Sequence, residues 1–257
     1  MRDYLMDAHA HTVVSGHAYN TVQELVDMAN IRGLELICLT EHGPALPGAP
    51  QPIYFANYRI IPSVIDNVRV LKGIEANIMD FEGTLDIPER CVPNLEVISA
   101  SLHDICLAPG SQSENTSAVL GAIENPLVDF LCHLGNPTFS LDYEAILQSA
   151  KKHDKMIEIN NGSFFIRKGC APNCVAIAKR CAELDIPIVV GSDTHYRCDL
   201  GHFPYADRAL EMAGVPDELI VNLEPWKFMN ILKHHGKVIG REARIPLEDV
   251  FNFNCES

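Results

Sequence analysis

No CxxC pair occurs among the nine cysteines of this 257-residue chain. Their odd number and spacings such as Cys174 to Cys181 point to reduced, mostly buried thiols on helix faces and to a reducing compartment. Basic residues are scarce as well: 20 Lys and Arg against 34 Asp and Glu leave a formal net charge of -14. That balance argues against nucleic-acid binding, because phosphate backbones are held mainly through Lys and Arg. The opening segment MRDYLMDAHAH lacks the apolar stretch of a signal peptide, and no window approaches the roughly 18 apolar residues of a membrane span. The expectation is a cytoplasmic protein with no membrane partner. The glycines of EHGP, HLGNP and NNGS have neither P-loop nor GxGxxG spacing, so no nucleotide fold is indicated. Fixed-period repeats, low-complexity tracts and linkers are all missing, which predicts a single domain over 1–257.

What the chain does have is a 47% hydrophobic content, enough at this length for one large α/β core. Short β-branched runs near 4–8, 35–40, 69–75, 95–101, 127–132, 156–160 and 187–191 alternate with segments of helical period, the pattern of repeated βα units. The helical candidates are 21–33, a segment around 56–68, 115–125, 143–154, 174–185, 205–214 and 224–236. Thr21, with Glu24 three residues on, predicts a capping box at the first. Seven strands are one short of a TIM barrel, and ELIVNLE makes a poor eighth. The fold predicted is therefore α/β, a distorted seven-stranded (βα)7 barrel that is TIM-barrel-like.

Histidines and carboxylates recur at the exits of these runs in the order His9, His11, His17, His42, Glu75, His103, His133, Asp193, His195. Only 11 residues of the chain are His, so seven at strand exits argue against independent core histidines. In a parallel barrel the strand ends converge at one C-terminal mouth. Residues i and i+2 of a strand share a face, so His9 and His11 can grip one ion together, and Asp193 and His195 can serve neighbouring ions. Imidazole and carboxylate suit zinc, manganese and iron. A catalytic zinc takes about three protein ligands, so nine predict a cluster of three divalent ions, with zinc placed first and manganese or iron as alternatives. Such a cluster would make a cationic pocket in an acidic protein.

His153, His202, His234 and His235 sit beside charged helices and turns and read as solvated. Glu41, next to His42, is either a carboxylate that orients an imidazole or a solvated loop charge. Cys174 and Arg180 satisfy the C-x5-R spacing of a cysteine phosphatase, but the residues between them contain no glycine and fit a helix interior, which cannot form a phosphate nest.

The segments HAH at 9–11, SGHAYNT, LTEHGP, KGIEANI, SLH, CHLGNP, EINNGSF and GSDTH together resemble the PHP (polymerase and histidinol phosphatase) superfamily, and within it the YcdX-like stand-alone phosphatases. The likeness runs from Asp7 to the last helix. The family commonly has Asp at Glu41 and Pro at Leu134. The resemblance implies one ion on His9, His11, Glu75 and Asp193, a second on Glu75, His103 and His133, and a third on His17, His42 and His195. It also implies hydrolysis of a phosphate ester.

The expected function is thus a metal-dependent phosphatase, a phosphoric monoester hydrolase, that acts on a small phosphorylated metabolite by attack of a metal-bridging hydroxide. Glu75 and Asp193 are the expected catalytic carboxylates, the latter steering the leaving-group proton. Arg167 is a candidate phosphate contact, with Asn160 and Asn161 lining the same mouth. Two other classes compete: an amidohydrolase-type hydrolase of amides or lactones, and a non-catalytic metal-binding module. Homo-oligomerisation is left open.

Overall fold

A computed structural model describes residues 2–240 of the chain. Its strands and helices, in chain order, are β1 (Met6–Ala10), α1 (Val22–Arg32), β2 (Leu36–His42), α2 (Pro52–Ala56), β3 (Val64–Ile65), β4 (Val68–Asn77), β5 (Val97–Ser101), α3 (Gln112–Glu124), β6 (Phe130–Leu131), α4 (Tyr143–Lys152), β7 (Met156–Asn160), α5 (Ser163–Ile166), α6 (Ala171–Leu184), β8 (Ile188–Gly191), α7 (Pro204–Ala213) and α8 (Pro225–His234). Seven strands pair in parallel in the order β1, β2, β4, β5, β6, β7, β8. A parallel bridge between Ala10 and Thr194, with His11 N donating to Thr194 O at 3.1 Å and Asp193 N to His9 O at 2.9 Å, brings the last strand back to the first. The result is the nearly closed, TIM-barrel-like ring of seven parallel strands that the alternating runs predict.

The eighth run, ELIVNLE, closes the remaining seam without becoming a strand. It meets β8 through one bridge, Ile188 to Ile220. The buried Asn222 amide then accepts from Val190 N at 2.6 Å and donates to Val190 O at 2.7 Å and Met6 O at 3.0 Å. One side chain thus satisfies backbone groups of β8 and β1 that would otherwise be buried without partners.

The helix expected over 56–68 is not there. Pro62 prevents a helix from running through it, and the chain instead forms the short α2, a 3-10 turn at Tyr58–Ile60 and the β3–β4 hairpin. Asp66 and Asn67 take left-handed φ values of 48° and 70°, the conformation a two-residue hairpin turn requires and that Asp and Asn tolerate. The other expected helices are present within a few residues of their predicted places, and α5 is a short addition. At α1 the Thr21 hydroxyl accepts from Glu24 N at 3.2 Å and the Glu24 carboxylate accepts from Thr21 N at 2.7 Å, the predicted box.

Strand alternation sorts the apolar residues into two layers. Ile74, Ile98, Leu131, Ile157, Ile159 and Val190 face outward and pack under the helices. Met6, Ala8, Leu36, Cys38, Leu71, Val97, Phe130, Cys132, Met156 and Val189 form a second cluster joined by Phe228 and Leu232 of α8, which fills the barrel floor.

Candidate metal centre

Following the inward face of each strand upward from that floor leads to the chemistry. On β2 Leu36 and Cys38 are succeeded by Thr40 and His42, on β4 Leu71 by Gly73 and Glu75, and on β8 Val189 by Gly191, with Asp193 two residues beyond the strand's end. Each of these strands changes from apolar to polar over about two residue pairs, so the candidate ligands meet at one level. On β1 the register with β2 shifts between Asp7 and Ala10, an irregularity that re-aims side chains. The Thr40 hydroxyl accepts from Ala10 N at 3.1 Å beside that shift.

All nine predicted residues come together. Glu75 lies at their centre, fully buried. Its Oε1 stands 2.8 Å from His133 Nε2 and 3.5 Å from His103 Nε2. Its Oε2 stands 2.7 Å from His42 Nδ1, 3.4 Å from His9 Nε2 and 3.6 Å from His11 Nε2. Asp193 Oδ1 is 3.2 Å from His11 Nε2 and 3.6 Å from His9 Nε2. Nearest solvent, His17 Nε2 and His195 Nε2 are 2.9 Å apart, with His42 stacked on His17 at 5.0 Å between ring centroids. Three overlapping donor groups result: His9, His11 and Asp193; His42, Glu75 and His103; and His11, His42 and His195. His133 and Asp193 hold left-handed φ values of 35° and 57°, unusual for residues other than glycine.

Whether these residues suit a metal is answered by their outward atoms. His9 Nδ1 lies 2.7 Å from Glu158 Oε1, His103 Nδ1 2.7 Å from Asn77 Oδ1, His17 Nδ1 3.0 Å from Ser15 O and His195 Nδ1 2.9 Å from Asp193 O. Each partner is an acceptor, so each Nδ1 carries the proton; the Asn77 assignment follows from its Nδ2 donating to Gly43 O and Asp86. Ser15 Oγ donates to Glu41 at 2.6 Å and therefore accepts from His11 Nδ1 at 3.2 Å. These five rings are thereby locked with Nε2 turned inward, as in metal-binding histidines. Two donors of one zinc, each ~2.0–2.1 Å from it at a tetrahedral angle, stand roughly 3.3 Å apart; the inward pairs have that scale of spacing. Although His42 Nδ1 and Glu75 Oε2 are close, they do not align as a hydrogen bond, and both atoms and His42 Nε2 are buried without a hydrogen-bond partner. Such orphaned groups are costly unless something else satisfies them, and a cation does so.

Electrostatics point the same way. Burial works against the Glu75 charge, but the His103, His9 and His42 imidazoles hold its carboxyl well below the usual range. Burial opposes the Asp193 charge too, and is outweighed by His9, His11 and Arg167. Burial and neighbouring rings keep His11 and His17 neutral-leaning and push His103 down to about 3. Burial works against the His9 charge as well, but Glu158, Asp193 and Glu75 outweigh it and draw the ring towards its charged form. The two carboxylates therefore stay ionised and attract a cation.

A match to the PHP domain model covers residues 7–249. The chain belongs to the PHP family. Relatives named "probable phosphatase" in Clostridium botulinum strain Langeland and Thermoanaerobacter sp. strain X514 are 47% and 45% identical over 91% and 93% of this chain, and over 97% and 98% of their own lengths. Among solved structures, a histidinol phosphate phosphatase from Lactococcus lactis, crystallised with zinc, L-histidinol and phosphate, aligns over 83% of this chain and 95% of that one with a TM-score of 0.59 at 19% identity, a likeness of fold.

In this PHP chain Glu41 is fully buried and accepts from the Thr12 and Ser15 hydroxyls at 2.6 Å each. It reaches His11 only through Ser15, so it is no solvated loop charge. Arg167 Nη1 donates to Ser163 Oγ at 2.9 Å and to Asp193 Oδ2 at 3.4 Å, at the edge of the donor cluster. Asn160 Nδ2 faces Glu158 and Asp193 at 3.2 and 3.3 Å, while Asn161 Oδ1 accepts from Tyr205 N and Ala206 N at the start of α7. Cys174 is buried on α6, and Arg180 pairs with Glu144 at 2.8 Å outside the barrel, so the C-x5-R spacing is a helix period. Of the residues set aside as solvated, His235 is instead tied to Asp129 at 2.9 Å, just before β6 and at the opposite end of that strand from His133.

Three outer residues escaped the sequence reading: Ser15, Asn77 and Glu158. Glu158 had a signal, a carboxylate alternating with Ile157 and Ile159 in MIEIN, and therefore facing the barrel interior. His9, Cys132 and Glu158 also offer three donors, but burial keeps the Cys132 thiol protonated and His9 Nδ1 is already hydrogen-bonded. They back the cluster from behind.

Proposed function

We propose that this PHP protein is a metal-dependent phosphatase that hydrolyses the phosphoric monoester of a small metabolite. The observation that carries this reading is Glu75, whose two oxygens face separate sets of imidazoles, as a carboxylate shared by two ions must. The names of the relatives support the phosphatase class, and the zinc and phosphate in the Lactococcus lactis protein support a phosphate ester and zinc. Ion one is assigned to His9, His11, Glu75 and Asp193, ion two to Glu75, His103 and His133, and ion three to His17, His42 and His195. His42 also faces Glu75, so the third set adjoins the first two. Manganese and iron suit the same donors.

Bound divalent ions supply water of lowered pKa and positive charge opposite the phosphoryl oxygens. The protein's part is to hold that chemistry in place. Glu75 and Asp193 offset the ions' charge. The Arg167 guanidinium, anchored by Ser163 and Asp193, is positioned to take a phosphoryl oxygen, and a substrate there would loosen its hold on Asp193. Asp193 is then the carboxylate best placed to steer a proton to the leaving alkoxide. Asn160 and Asn161 form the wall below, their amides committed to Asp193, Ser163 and α7. No helix among the described residues is long and apolar enough to cross a membrane; a cytoplasmic, single-domain enzyme is part of the proposal.

An amidohydrolase-type activity would use a similar HxH strand. A screen of phosphorylated metabolites beside amide and lactone panels, on protein loaded separately with zinc, manganese or iron, tests the assignment. Phosphate release from at least one monoester is expected. Amide or lactone turnover without phosphate release would overturn it.

A further inference from the structure

Behind the donor cluster, one carboxylate joins ligands that the assignment divides between two ions. Glu158, 2% exposed, places Oε1 2.7 Å from His9 Nδ1. Its Oε2 accepts from the His133 backbone N–H at 2.9 Å and from Asn160 Nδ2 at 3.2 Å. Asn160 in turn reaches Asp193 Oδ2 at 3.3 Å. His9 and Asp193 belong to ion one and His133 to ion two. The contact to His133 is to the backbone of a residue held at φ 35°, where a non-glycine conformation costs energy that its surroundings must over-determine. The fold makes room for this group: a Cβ on Gly191 would collide with both Glu158 and His9.

We infer that Glu158 is a positioning residue that couples the first two ion sites, so that loosening it weakens both ions together and leaves the third in place. The inference rests on the metal-centre reading above. A carboxylate on Nδ1 fixes the ring and makes Nε2 a stronger donor, and losing such a partner costs 10- to 100-fold in metal affinity. Glu158→Gln keeps the shape, but its amide must turn an NH2 towards either the His9 N–H or the His133 N–H. One of the two anchors is then lost, and the neutral group no longer supports the other.

The test is metal content per chain by elemental analysis at a series of buffered free-zinc concentrations, for wild type and Glu158→Gln, with circular dichroism and thermal melts to confirm folding. Wild type is expected to saturate near three ions. The variant should hold one ion over at least a tenfold range of free zinc in which wild type holds all, and adding His17→Ala should remove that one. A generally slackened barrel would weaken all three alike. If wild type is multinuclear and Glu158→Gln loads identically, or loses a single ion, the coupling is refuted while the metal centre stands. If wild type binds no more than one ion, the metal-centre reading fails and the inference with it. Should Glu158→Gln not fold, Glu158→Asp, which keeps the charge but withdraws the oxygens, must show the same paired weakening, and unaltered loading there refutes it.

Discussion

His17 Nε2 and His195 Nε2 face each other at 2.9 Å although each ring already gives its Nδ1 proton to a carbonyl, His17 to Ser15 and His195 to Asp193. Two neutral rings so fixed would oppose lone pair to lone pair. A shared cation removes the conflict. His17→Ala should therefore cost one ion of about three, and leave the ions on Glu75 in place, because no other donor set includes His17. Elemental analysis of the purified variant checks this; a loss of every ion would dissolve the partition.

Chelation should abolish turnover and lower the melting temperature, since the buried His42 nitrogens and Glu75 Oε2 have no hydrogen-bond partner to fall back on and ligand binding stabilises by mass action. Restoring zinc, manganese or iron should recover both. Activity that persists in thoroughly chelated protein would exclude a metal-dependent reaction.

The barrel and its donor set were legible because both are periodic. Strand alternation puts His42 and Glu75 on the face that begins with Leu36 and Leu71, and the order of exits predicts a common mouth. What was hidden depended on long-range partners or local turns. Glu158 meets His9 across 149 positions of sequence, and its neighbours in MIEIN say only that it faces inward. At 56–68 the helical period of Tyr58, Ile61 and Ile65 masked the break at Pro62, which the sequence did show, and the Asp66–Asn67 turn completed it. Glu41 remained ambiguous because its partner, Ser15, lies in a single 3-10 turn at Val13–Ser15, too short to show a period.

Asn222→Ala should destabilise the fold by about 2–5 kcal/mol, because the buried Val190 N–H, Val190 C=O and Met6 C=O lose their partner at the seam and each unsatisfied group costs about 1–3 kcal/mol. Urea unfolding measures it. A change under about 0.5 kcal/mol would mean that the seam is held elsewhere.

Cys174→Ser should leave turnover within about twofold, since Cys174 is buried on α6 and Arg180 is engaged with Glu144. No phosphate nest can form along a regular helix. Complete loss of phosphate release in a folded Cys174→Ser protein would restore a cysteine mechanism.

Glu75→Gln should be the most damaging conservative change. The amide removes one of the two carboxylates that offset the ions' charge, and an NH2 group must then face either His103 and His133 or His9, His11 and His42. Reduced metal content is expected together with a fall in kcat/KM of at least about a hundredfold, or roughly 2.7 kcal/mol of transition-state stabilisation. Glu41→Gln gives the contrast. Its carboxylate acts on His11 only through Ser15, and the variant should lose no more than the 10- to 100-fold typical of an outer partner. Kinetics on a common phosphomonoester, with metal content measured on the same samples, compares the two. Full metal and near-normal turnover in Glu75→Gln would show that Glu75 bridges nothing, and equal losses in the two variants would show that charge alone, rather than contact with the ions, sets the effect.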